Sequence, residues 1–179
     1  MQEIINQEFG GERPLYCRHD LFLEGVTIHP GESSLKETSD IEAYKCRFEG
    51  KYVFWCCDRF KVRDCYFAES ARSSLWHSTG CEMTDCIVDA PKMFREMEGI
   101  RLRNVNMNCA QETFWSCRDI ELDNVFATKA DYIFMHCSDI KVRNFRLEGN
   151  YSFQHARNVE IRDSDLQGFP LGDGERDSI

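Results

Sequence analysis

The chain repeats itself about every 20 residues, and this period constrains the fold more than any other feature. An apolar anchor residue, preceded in all but one case by Asp, Asn or Gly, recurs at intervals of 19 to 21 residues. After each anchor, apolar and polar residues alternate, as in IRLRNVNM and IKVRNFRL. Such alternation is typical of short strands with one buried face. The anchors are Leu21, Ile41, Phe60, Cys81, Ile100, Ile120, Ile140 and Val159.

Alignment of the repeats produces columns of equivalent residues. The residues two positions after the anchors form a continuous apolar column. The residues four positions after the anchors are mostly Asp and Asn, which tolerate a tight-turn backbone and can hydrogen-bond from one coil to the next. This turn column contains Gly25, Lys45, Asp64, Asp85, Asn104, Asn124, Asn144 and Asp163.

We therefore predict an all-β fold, a single-stranded right-handed parallel β-helix (solenoid) of about eight coils with a repeat near 20 residues. Residues 1–168 are expected to form this domain, and residues 169–179 a short polar C-terminal tail. That tail is too short to cover a coil, so we expect a partly open upper end. Contact through these ends, or through the face that carries the tryptophans, is then expected to give a homodimer or higher homo-oligomer. The apolar residues expected to be partly open are Leu147, Phe153, Ile161 and Leu166.

Charge and cysteine content exclude several classes of protein. Lys and Arg total 22 against 31 Asp and Glu, and a net charge of −9 argues against binding nucleic acid through phosphates. No apolar run reaches the roughly 20 residues that span a bilayer, and the N-terminus does not look like an export signal. We expect a cytoplasmic protein without a membrane partner. We therefore expect its ten cysteines to be reduced thiols. Because no CxxC spacing occurs, we predict no metal site and no cofactor.

Each repeat contains a second apolar segment, whose third residue is Phe or Leu, as in YVFWCC, SSLWHS and ETFWSC. If this residue points inward, the next residue points outward. The opposite orientation would bury the tryptophans and expose the phenylalanines, and the pattern does not decide between the two. The outward residues on the first assumption are Trp55, Trp76, Arg95, Trp115, Met135 and Gln154.

An exposed aromatic row on a soluble protein usually marks a contact surface. We expect this face to bind an oligosaccharide or polysaccharide, with ring stacking on the tryptophans and polar contacts from residues such as Lys92, Arg95 and Gln154. The alternative is a non-enzymatic scaffold, or a module for protein interaction or self-assembly, in which the tryptophans serve packing alone.

Candidate catalytic groups lie near this face. Glycoside hydrolysis requires two carboxylates that flank one bond, and Glu96 with Glu112, or Glu112 with Asp131, are the available pairs. A β-elimination would use Arg95 or Lys92 as the base, beside Glu112 and Asp131 holding a divalent cation. A chain with 30% charged residues forms such clusters by chance, so whether the protein is an enzyme is left open.

Three histidines, His77, His136 and His155, occupy one equivalent position just past the aromatic segment. His136 and His155 lie in adjacent coils and could share a metal ion, but a third ligand is not evident. We therefore expect histidines at a solvated turn.

Several longer segments, FGGERPLY, GESSLKETSDIEA, APKMFREM, ETFWSC, DYIFMHC and GNYSFQHARNVEI, resemble an uncharacterised bacterial family of right-handed β-helix proteins. This family is a domain of unknown function that is grouped with the pectin-lyase-like superfamily. The resemblance implies the fold and no established activity. Through the superfamily it favours a polysaccharide ligand by analogy alone.

Overall fold

The computed structural model describes residues 1–167, and the predicted parallel β-solenoid of about eight coils is confirmed. Every strand pairing between coils is parallel, and no helix occurs in the described part of the chain. There is accordingly no helix there that could cross a membrane. The handedness of the coil stays a prediction. The strands are β1 (Gln2–Ile5), β2 (Glu8–Glu12), β3 (His19–Glu24), β4 (Thr27–Glu32), β5 (Ser39–Tyr44), β6 (Arg47–Phe48), β7 (Phe54–Trp55), β8 (Asp58–Arg63), β9 (Tyr66–Phe67), β10 (Leu75–Trp76), β11 (Thr79–Val88), β12 (Glu98–Met107), β13 (Arg118–Ala127), β14 (Ser138–Glu148), β15 (Arg157–Arg162) and β16 (Asp165–Gln167).

The anchors stack in register along the solenoid. Strands pair in the order β1-β3-β5-β8-β11-β12-β13-β14-β15, and Ile100, for example, pairs with Cys81 below and with Ile120 above. The anchors from Leu21 to Ile140 are almost completely buried, which confirms that this column faces the core. One further coil precedes the first predicted anchor, because Gln2 pairs with Leu21.

The turn column forms the corners of the coils. Asn104 and Asn124 have φ angles of 54° and 55°, in the left-handed region that Asn tolerates better than most residues. The predicted hydrogen-bond ladder is present, since Asn124 Nδ2 donates to Asn104 Oδ1 at 2.8 Å and Asn104 Nδ2 donates to Asp85 Oδ1 at 3.0 Å. Asn144 departs from the pattern by donating to Asp123 instead of Asn124.

A column of stacked aromatic rings fills one side of the core. The rings of Phe94, Phe114, Phe134 and Phe153 lie 4.8 Å apart, centre to centre, and nearly parallel. This distance is the spacing between hydrogen-bonded strands, so each ring rests on the equivalent ring of the coil below. All four side chains are fully buried, whereas the tryptophans are half-buried. The structure therefore selects the first of the two orientations of the second segment.

The upper end is more closed than the sequence suggested. Leu147 and Phe153 are 1% and 0% exposed, so the expectation that these two residues are open is wrong. Leu147 is covered because Leu166 of the last described coil pairs with it from above. Ile161 and Leu166 pack against the core and are themselves half-buried. The predicted tail at residues 169–179 lies outside the described residues.

All ten cysteines are free thiols, and seven are buried. The predicted stack of Cys46, Cys65 and Cys86 is present, and the Cys46 amide donates to Cys65 Sγ at 3.3 Å. Burial raises the pKa of the Cys57 thiol to about 11 and raises that of Cys81 well above its usual value. Because the thiolate is the reactive form, these buried cysteines are expected to be inert.

Thiol titration provides a test of this arrangement. In the native protein we expect the exposed Cys17 and Cys56 to react first with a thiol reagent, and all ten cysteines to react after denaturation without a reductant. A denatured count below about eight would show that disulfides form, contrary to the structure.

The turn ladder can be tested at Asn124. We expect Asn124→Leu to lower the free energy of unfolding by about 2 kcal/mol, because it removes a hydrogen bond and places a branched side chain at positive φ. Asn106→Leu is the matched control, since Asn106 is an exposed residue in the same sheet. Equal urea midpoints for the two variants would contradict this role of the ladder.

Candidate functional site

The predicted aromatic face is a continuous column that begins two coils earlier than the sequence suggested. The Cys17 amide donates to the carbonyl of Lys36, and the Glu37 amide donates to that of Trp55. Tyr16 and Lys36 therefore stand below Trp55. Leu15 and Leu35 are the inward residues of these two coils, as Leu75 is beside Trp76, so the same pattern could have found both. This tryptophan column contains Tyr16, Lys36, Trp55, Trp76, Arg95, Trp115, Met135 and Gln154.

Neighbours in the column cover several faces of the tryptophan rings. Trp55 stacks on Trp76 with centroids 5.8 Å apart and an interplanar angle of 16°. The Lys36 ammonium lies 4.6 Å from the centre of Trp55, and the Arg95 guanidinium lies 4.5 Å from that of Trp115. These contacts cover both faces of Trp55 and one face each of Trp76 and Trp115.

The indole N–H groups are either buried or already bonded within the protein. Trp115 Nε1 donates to the carbonyl of Tyr132 at 2.6 Å, in the coil above. The Nε1 atoms of Trp55 and Trp76 are buried and have no acceptor among the described residues. None of the three indoles offers its N–H group to a ligand from outside.

One charged cluster forms beside the column. Glu112 Oε2 lies 3.3 Å from Lys92 Nζ and 3.2 Å from a guanidinium nitrogen of Arg95. Arg95 also donates to the carbonyls of Lys92 and Glu112. The Arg95 and Glu112 side chains are only 19% and 24% exposed, so this ion pair is shielded from water more than most pairs in the protein.

The other candidate acids do not join this cluster. Glu96 lies on the other side of the column, two residues after Phe94, and is 3.0 Å from His77 Nδ1. Asp131 accepts a 2.8 Å hydrogen bond from the Asn150 amide. The structure thus brings together Lys92, Arg95 and Glu112, and gives Glu96 and Asp131 separate partners. A catalytic role for these residues stays a prediction.

The histidines stack in the same way as the other columns. The rings of His136 and His155 lie 4.8 Å apart and nearly parallel, beside Met135 and Gln154. Within residues 1–167, no group of three His, Cys, Asp or Glu side chains could hold a metal ion.

A column of alternating charge, not predicted from the sequence, lies on another side of the solenoid. It consists of the residues that follow the anchors, and the register pairs Glu42 with Lys61, Lys61 with Glu82 and Glu82 with Arg101. Its signal was readable, because the sign changes at every repeat. This charge ladder contains Glu42, Lys61, Glu82, Arg101, Glu121, Lys141 and Glu160.

A second outward column runs parallel to the charge ladder, two residues further along each strand. The guanidinium of Arg143 holds the pKa of Asp123 below its usual range, through a hydrogen bond in this column. Grooves of about 500 and 600 Å³ flank the charge ladder. The second column contains Glu24, Tyr44, Arg63, Thr84, Arg103, Asp123, Arg143 and Arg162.

The Glu112 cluster generates a stability prediction. We expect Glu112→Gln to lower the free energy of unfolding by about 1 kcal/mol, because it leaves the half-buried Arg95 without its carboxylate. The control is Glu98→Gln, because Glu98 forms a 2.7 Å ion pair with Arg118 in which both side chains are more than half exposed. This substitution should lower the free energy of unfolding by less than about 0.5 kcal/mol. Chemical denaturation of both variants measures the difference, and equal losses would refute a special role for the cluster.

Comparison with solved structures finds remote similarity to several chains, among them QnrB1 and HetL. The plasmid-mediated fluoroquinolone resistance protein QnrB1 is 16% identical, with 95% of this chain and 93% of that chain covered and a TM-score of 0.37. HetL, a pentapeptide repeat protein involved in heterocyst differentiation regulation from Nostoc sp. strain PCC 7120, is 11% identical. Its coverage is 91% of this chain and 86% of that chain, with a TM-score of 0.31.

No curated protein matches the chain. The comparisons give no support to the expected grouping with the pectin-lyase-like superfamily, and the analogy to polysaccharide ligands loses that basis. The expected membership of a family of unknown function is confirmed. A family pattern matches residues 2–169, so the chain belongs to the family described as "Protein of unknown function (DUF3737)".

Proposed function

We propose that this protein is a non-enzymatic scaffold that binds a protein partner through an outer face of its solenoid. The observation that carries this proposal is the closed tryptophan column. Trp55 and Trp76 cover each other, while Lys36 and Arg95 cover further ring faces. These contacts support the interpretation of the column as a packing element of the solenoid instead of an open platform.

A sugar-binding platform requires different geometry. A sugar ring stacks its C–H groups against an open aromatic face, where the π-electron density lies. Here the coil spacing stacks the rings along the solenoid axis, so each interior ring already has a neighbour on its face. The buried N–H groups of Trp55 and Trp76 are also turned away from any hydroxyl that approaches from outside.

The arrangement of the charged groups also supports a non-enzymatic role. A glycoside hydrolase needs two carboxylates that flank one bond of the substrate. Glu112 is held by Lys92 and Arg95, and Glu96 lies across the column beside His77. Each acid therefore has a structural partner of its own.

Carbohydrate binding stays a competing prediction. The observation in its favour is the pair Tyr132 and Tyr151, whose rings stack 5.1 Å apart and are 38% and 41% exposed. A glycan could reach the outer edge of this pair, beside Gln154.

A glycan array separates the two functions. We expect the wild-type protein to give no signal above background on any glycan, because the ring faces are covered. A Trp76→Ala/Trp115→Ala double variant and the control Phe126→Ala, which alters a half-buried aromatic residue on another side, are applied in parallel. A defined sugar signal that the double variant loses and the control keeps would overturn the scaffold proposal.

A further inference from the structure

We propose that the charge ladder is a self-association surface, on which a second copy of this chain docks in the antiparallel direction. The inference rests on the proposed function and names the partner of the scaffold. The two-fold axis would lie between the two copies, parallel to the strands and midway between Glu82 and Arg101.

The alternation of charge makes the ladder self-complementary. Rotation about this axis places Glu82 of one copy opposite Arg101 of the other, Lys61 opposite Glu121, and Glu42 opposite Lys141. Each contact occurs twice by symmetry. A shift of one coil would place like charges opposite each other along the whole ladder. Only a few docking registers are therefore allowed, each two coils from the next.

The second outward column selects one register from this set. In the register centred between Glu82 and Arg101, Arg63 faces Asp123 of the second copy and Glu24 faces Arg162. Docking two coils further in one direction would place Arg63 opposite Arg162, which offsets the Arg103–Asp123 pair that the same shift creates. Docking two coils in the other direction would place Glu24 opposite Asp123. The second column is not constrained by the alternation of the ladder, so it provides independent support for the same axis.

The column just before the anchors is compatible with this arrangement. Gly80 of one copy faces Gly99 of the other, so no side chain obstructs the sheets next to the axis. Arg59 faces Asp119 of the second copy. Asp40 faces Asp139 in the one like-charge contact, and there the Arg59 guanidinium of the same chain already binds Asp40 at 2.8 Å.

The size of the face also suits a stable dimer. The face is eight strands wide, with about 4.8 Å between strands, and six residues long, with about 3.3 Å per residue. Its footprint is therefore roughly 700 Å² per copy, close to the roughly 800 Å² that each partner buries in a standard interface. The two flanking grooves provide space for the long side chains of the second copy. Because the contacts are ionic, we expect association to weaken as salt rises.

Charge-reversal variants with a mixing step provide the test. Light scattering at micromolar concentration should give about 42 kDa for the wild type, twice the 21.0 kDa of the chain. Lys61→Glu and Glu121→Lys each create two like-charge contacts, so each should raise the dissociation constant at least tenfold. An equimolar mixture should restore the dimer, because the introduced acid of one chain then faces the introduced lysine of the other. Lys129→Glu and Glu69→Lys, which lie off the ladder, should dimerise normally.

Cross-linking of the wild type tests the register even if a variant fails to fold. A carbodiimide joins a lysine to a carboxylate without a spacer. Lys61 and Glu121 are three coils apart in one chain, about 14 Å, so a direct amide between them forms only between two copies. We expect this linked peptide in the dimer band and not in the monomer.

The outcomes separate this inference from the proposed function. A mass of 21.0 kDa throughout, a mixture of folded variants that stays monomeric, or a dimer without the Lys61–Glu121 peptide would overturn the docking proposal and leave the scaffold standing. A specific glycan signal would overturn the scaffold whatever the mass of the particle.

Discussion

The parallel hydrogen bonding between coils is the constraint on which the rest of this structure depends. It fixes the rise at about 4.8 Å and sets each residue directly above its equivalent in the previous coil. Everything the chain places at one position is therefore repeated at van der Waals distance. Such repetition favours apolar and aromatic side chains, and the Phe94, Phe114, Phe134 and Phe153 stack is its clearest product. The same repetition penalises equal charges.

The outer faces show how the chain meets this penalty. On the charge ladder the sign alternates from coil to coil, so that Arg101, for example, lies 3.5 Å from Glu121. On the tryptophan column Lys36 and Arg95 are placed beside aromatic rings, which accept a cation on their faces. In both columns the charged groups find favourable neighbours within the same chain. They differ in what they leave for a partner, because the aromatic column closes its binding faces whereas the ladder keeps its charged groups in solvent.

Much of the fold could be predicted from the sequence because the period and the alternation are local signals. The anchors, the turn column and the cysteine stack follow from counting residues. The orientation of the second segment could not be decided, since Phe54 and Trp55 are both aromatic and either could face inward. The covering of the rings depends on side-chain torsions that no residue pattern encodes. The charge ladder was missed for another reason: Glu82 and Arg101 have meaning only when compared across coils, and within one coil each looks like an ordinary surface charge.

The charge ladder repeats every two coils, whereas the core of the molecule repeats every coil. The core repeats with every coil, so removing one complete coil would still stack apolar residues on apolar residues. On the surface, loss of the coil that carries Arg101 would bring Glu82 directly beneath Glu121. Loss of two adjacent coils would preserve the alternation. A solenoid of this kind is therefore expected to lengthen or shorten in pairs of coils, by about 40 residues at a time, although its interior would accept steps of about 20.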